Sequence, residues 1–220
     1  MLIACAWPFR FRNEYSEGED EPELGLINGL RQAFVAVRRP DVLRWMVLLE
    51  CSNLMLDILL AFLALYFVNV VGVSPEQAAL GVAVWTGVGL VGDFLIIPLL
   101  ERVHGLTYLR FSAATVLVLY ALFLLVQPFA LKLMILGALG FFNAGWYSIL
   151  QGQLYSAMPG RGGTIMAAGN FFGLIAGFVP LLLGIIAQGF GLPVTMWLLL
   201  IGPIGLLVGL PRKPGGGSGV

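Results

Sequence analysis

Six apolar stretches, residues 43–72, 77–100, 107–127, 130–157, 163–188 and 193–210, occupy most of a 220-residue chain. No other feature constrains the fold as strongly. A helix needs roughly 20 predominantly apolar residues to cross a hydrocarbon core about 30 Å thick. With 59% hydrophobic and 11% charged residues, the chain has too little interior to hide its apolar surface in water. In lipid no water completes the backbone hydrogen bonds, so each stretch must close its own as a helix. The sequence predicts an all-α integral membrane protein with six transmembrane helices.

The charges between the stretches orient them. Arg31, Arg38, Arg39 and Arg44 come before or at the start of the first stretch, Arg102 and Arg110 lie around the second connection, Arg161 in the fourth, and Arg212 and Lys213 after the sixth. The other three connections carry only Lys132 as a positive charge. By the positive-inside tendency, both ends face the cytoplasm and the protein sits in the cell (inner) membrane. The first and fourth stretches exceed the bilayer thickness and are expected to tilt or project into water.

Three regions divide the chain. Residues 1–24 combine a short apolar remnant, "MLIACAWPF", with the acidic linker "NEYSEGEDEPE". Residues 25–212 form the six-helix domain, entered by an amphipathic interfacial helix with Leu26, Leu30, Phe34 and Val37 at helical spacing. Residues 213–220 are a Gly/Ser-rich flexible tail.

Several classes are disfavoured. A formal net charge of zero gives no reason to expect nucleic acid. Cys5 and Cys51 are far apart, and His104 has no Cys or His neighbour, so no metal or cofactor is expected. The glycines at 81, 87, 89 and 92 sit inside an apolar run without the strand–turn–helix context of a phosphate loop. No nucleophile–base pair points to an enzyme.

Ionisable and amide groups inside the spans are costly, which makes them functional candidates. Glu50, Asn53 and Asp57 are spaced to share one helical face, as are Asn143, Tyr147 and Gln151, with Trp146 adjacent. The two stripes predict either a hydrated path between spans one and four, where Asp57 or Glu50 exchanges a proton, or a polar helix–helix contact that only specifies packing. Asp93 lies nearer the cytoplasmic end of span two, and a loop arginine is its expected partner. Gly169, Gly173 and Gly177 recur every fourth residue, followed by Gly184. In lipid such a ladder predicts a face pressed against another helix, and Pro180 predicts a bend.

A weak internal repeat accompanies these features. Matching "VHGLTY" with "GFGLPV" places Gly87 over Gly173 and Asp57 over Asn143. It divides the chain into two three-helix units of opposite orientation, 43–127 and 130–210.

Four segments, spanning about residues 25–212, carry a resemblance to the C-terminal half of a major facilitator superfamily transporter. They are "GLINGLRQAFVAVRRPDVLR", "PLLERVHGLTYLR", "MPGRGGTIMAAGNFFGLIAGFVPLLLG" and "GFGLPVTMWLLLIG". The resemblance implies half of a twelve-helix fold, with spans one to six standing as helices seven to twelve, and with spans one and four lining the cavity. It implies a truncated or half-size chain that pairs with a missing N-terminal half or a second copy of itself. It also gives Glu101, Arg102, Gly105 and Arg161 the place of the family's loop motif. That motif is degenerate here: Glu101 replaces an aspartate, Ile97 a glycine, an extra residue separates Arg102 from Gly105, and Leu106 and Thr107 stand in place of two arginines. The expected function is alternating-access transport of a small molecule, proton-coupled and outward. A non-transporting scaffold or assembly subunit of the same fold is the alternative.

Overall fold

The structure, a computed structural model, describes residues 38–160 and 162–211. The interfacial helix before Arg38, the acidic linker, Arg161 and the tail from Arg212 lie outside these residues. Six helices follow one another: α1 (Pro40–Val71), α2 (Pro75–Leu100), α3 (Gly105–Leu125), α4 (Phe129–Ala157), α5 (Gly162–Phe190) and α6 (Leu192–Gly209). Each is long and apolar enough to cross a membrane. At 1.5 Å per residue, the 32 residues of α1 extend about 48 Å, well beyond the hydrocarbon core.

Local chemistry sets the ends. Gly72 closes α1 with φ +77°. Ser74 Oγ then accepts from Gln77 N while Gln77 Oε1 accepts from Ser74 N, and Pro75 occupies the first turn of α2. On the arginine-bearing side, Arg44 Nε donates to Gly209 O (2.7 Å) and Arg110 Nη2 donates to Pro211 O (2.5 Å). The beginnings of α1 and α3 thereby bind the carbonyl-rich end of α6, where a cation is electrostatically favoured.

Four spans are not continuous α-helices. α1 contains π-turns at Leu54–Ile58 and Phe67–Val71. α4 breaks between Asn143 and Trp146, with Gly145 at φ +72°. α5 is interrupted at Gly177 and α6 at Leu199–Leu200. Each of the latter two breaks lies three or four residues before a proline, Pro180 or Pro203, whose ring lacks a donor and crowds the preceding turn. The offset that superposes Asp57 on Asn143 also lays the first π-turn of α1 over the stretch leading into the α4 break.

α4 is the hub, packing on α1, α2 and α3, while α6 packs on α1 and α3. Close approach is made by glycines. A Cβ on Gly140 would lie 2.7 Å from Trp85 O, and one on Gly202 2.7 Å from Cys51 O. Gly205 and Gly209 continue the second contact against Cys51 and Leu48. The predicted ladder on α5 behaves differently. Gly169, Gly173 and Gly184 have no neighbouring atom within 4 Å of a built Cβ, and the nearest atoms to Gly177 belong to its own helix. Within this chain the ladder presses on nothing: α5 is barely buried, and its contacts, with α1 and α4 in its first half and with the start of α6 in its second, are not made through these glycines. Spacing shows that a small-residue face exists, not which side a neighbour occupies.

Lys132 is not in a loop but in the first turn of α4, 3% exposed. Its Nζ donates to Tyr66 Oη (2.9 Å) and Phe123 O (2.6 Å) and lies about 5 Å from both ring centres. Lys132→Met keeps the stem but leaves the Phe123 carbonyl without that donor. Detergent-solubilised protein is expected to lose about 1–3 kcal/mol, seen as a lower Tm; an unchanged Tm would refute the role of this clamp.

Candidate functional site

A cavity of about 340 Å3 opens between the first half of α1, the last turns of α4 and the first half of α5. Such a volume suits a small ligand. Glu50, Asn53, Tyr147, Gln151, Tyr155 and Asn170 supply its polar lining, with Met46, Leu49, Leu154 and Phe172 among the apolar walls. Asn53 Nδ2 donates to Glu50 Oε2 (3.3 Å). Tyr147 is 46% exposed, so its ring presents a face to whatever enters. One carboxylate, three amides and two phenols can bind a cationic or hydrogen-bonding group, and the carboxylate can accept a proton.

Four of the seven residues expected along the path are therefore together: Glu50, Asn53, Tyr147 and Gln151. The other three do not line this cavity. Asp57 falls inside the π-turn at Leu54–Ile58 and is not among the residues that line the cavity. Asp57 stands exposed on the outside of the chain. In α4 the break at Ala144–Gly145 interrupts the helical spacing between Asn143 and Tyr147. Asn143 is buried on the far side, donating from Nδ2 to Met55 O (3.3 Å). Trp146 is fully buried, its Nε1 donating to Ser112 Oγ on α3 (2.8 Å). Tyr155 is a lining residue that spacing did not single out, although it continues the Tyr147–Gln151 face at the next i+4 position.

Asp93 also differs from expectation. Its partner is not a loop arginine: Oδ1 accepts from the backbone N–H of Gly145 (2.9 Å), inside the α4 break. The span thus begins again under a carboxylate supplied by α2. Asp93 and Asn143 further line a smaller space of about 210 Å3 between α1, α2 and α4.

The profile of the family described as Major Facilitator Superfamily matches residues 1–180. The chain belongs to the major facilitator superfamily. This superfamily comprises membrane transporters, so the bundle is a multi-pass transport protein or part of one. No curated protein and no solved structure matches the chain. The six helices equal in number one half of the superfamily's twelve-helix fold. Of the loop motif, Glu101 and Arg102 follow α2 directly, and Gly105 opens α3, where a Cβ would lie 3.1 Å from Ile149 Cγ2. That glycine lets the start of α3 lie close against α4.

Proposed function

We propose that the chain forms one wall of the substrate path in a secondary transporter that exports a small molecule by alternating access, driven by protons moving down their gradient. The observation that carries this reading is the placement of Glu50 beside Asn53 in a cavity shared with Tyr147 and Gln151, about 15 Å along α1 from its start. Glu50 exchanges the proton, and Tyr147 and the carboxylate together favour a cationic amphipathic substrate. A companion six-helix unit, an N-terminal half or a second copy of this chain, closes the path. It covers the exposed carboxylates Asp57 and Asp93, which would be costly against lipid tails alone. The arginine distribution favours a cytoplasmic side for the termini and the Glu101–Arg102 loop in the inner membrane.

Two measurements test this. Cells expressing the chain are expected to accumulate less ethidium than vector controls, and a protonophore should erase the difference. In inside-out vesicles, Gln151→Cys should react with a membrane-impermeant maleimide, beyond the background of Cys5 and Cys51, and ethidium should slow that reaction. A Gln151→Cys variant that is inert in vesicles of both orientations removes the hydrated path.

A further inference from the structure

The restart of α4 has an unusual construction. A helix leaves its first N–H groups without intrahelical partners, and the residue just before it normally caps them. Here the preceding residues are Ala144 and Gly145, neither of which has a capping side chain. Gly145 is fixed by geometry: its φ is +72°, and a Cβ there would lie 2.5 Å from Ile96 Cδ1. The acceptor is lent by a different helix, since Asp93 Oδ1 on α2 takes the Gly145 N–H at 2.9 Å. On the other side of the break, Tyr108 Oη on α3 donates to Ala144 O at 3.2 Å. Asn143 Nδ2 reaches Met55 O in the π-turn of α1, and Trp146 Nε1 reaches Ser112 Oγ. A carboxylate within a span is thus engaged by this backbone donor and by the positive end of the helix behind it.

We propose that Asp93 is a positioning residue: through its bond to Gly145 N it sets the direction of the short helix Trp146–Ala157 and hence the places of Tyr147 and Gln151 in the cavity. Tyr147 follows the joint by two residues and Gln151 by six, so a small rotation at Gly145 carries both side chains. What the joint needs from Asp93 is an acceptor oxygen at the position of Oδ1; the negative charge is secondary. Asparagine can supply that oxygen and alanine cannot.

This rests on the cavity reading above, and the experiment separates the two. In the full chain carrying Gln151→Cys, the maleimide reaction rate and its protection by ethidium are measured with Asp93, Asp93→Asn and Asp93→Ala. Asp93→Ala is expected to change the labelling rate about fivefold or more and to raise the apparent KM for ethidium by a similar factor. Asp93→Asn should restore both to within about twofold. Labelling of Asn53→Cys, on the opposite wall, should not respond to either substitution. If the alanine variant does not fold, Tyr108→Phe loosens the same joint from its other side and should shift the labelling of Gln151→Cys in its place. Equal damage by asparagine and alanine would overturn the proposal, as would labelling of Gln151→Cys that neither Asp93→Ala nor Tyr108→Phe alters. A parent Gln151→Cys chain that never reacts strikes the cavity reading instead, and is read before any Asp93 variant.

Discussion

Glu50→Gln is expected to cut proton-driven ethidium export by about tenfold or more, while ethidium still moves down its own gradient. The two side chains are nearly the same shape, and a glutamine oxygen can still accept from Asn53 Nδ2 as Glu50 Oε2 does. The cavity lining therefore survives, while the ability to gain and lose a proton disappears together with the charge that favours a cationic substrate. Asp57→Asn should have a smaller effect, because Asp57 is not among the residues that line the cavity. The decisive comparison is export in energised vesicles against exchange in de-energised ones. Export that keeps its full proton dependence in Glu50→Gln, or that fails only in Asp57→Asn, would mean the proton travels by another route.

Gly140→Leu is expected to abolish stable insertion or cost about 3 kcal/mol or more. Backbone meets backbone at this position: an added Cβ would lie 2.7 Å from Trp85 O and 3.2 Å from Gly89 N. No rotamer relieves a clash with main-chain atoms, so α2 and α4 must separate, and α4 is the element on which α1, α2 and α3 converge. Set against a total stability of about 5–15 kcal/mol, that is a large share. Gly169→Leu makes the contrast, since open space surrounds that position in this chain. Its thermal midpoint should match the parent when the chain is studied alone. Equal loss in both variants, followed by melting in detergent, would show that the tight contact between α2 and α4 is not what sets stability.

The contrast between these glycines shows what the amino-acid order reveals. Span count and the alternation of arginine-bearing ends follow from apolar length and charge, which belong to each segment by itself. Which face of a helix points inward depends on its neighbours and on its being regular. Glu50 with Asn53, and Tyr147 with Gln151, lie wholly within regular turns, and each pair emerged on a shared wall. Asn143 is tied to Tyr147 only by counting through a glycine break, where counting by 3.6 fails, and Asp57 lies inside a π-turn and outside the cavity lining. A trace of the second irregularity is present in "FFNAGW": an Asn-Ala-Gly triplet in mid-span is poor continuous helix. The π-turn within "LMLDI" leaves no comparable mark, and Lys132 resembled a loop charge only because its aromatic cover comes from α1 and α3.

The arginine ties at the end of α6 have a temporal consequence. Arg44 and its carbonyl partner Gly209 are 165 residues apart, and Arg110 and Pro211 are 101 apart. During synthesis both guanidinium groups enter the membrane interface long before their acceptors exist. This rim of the bundle is then fastened by the last helix made, and a nascent chain halted before residue 209 keeps it unlatched.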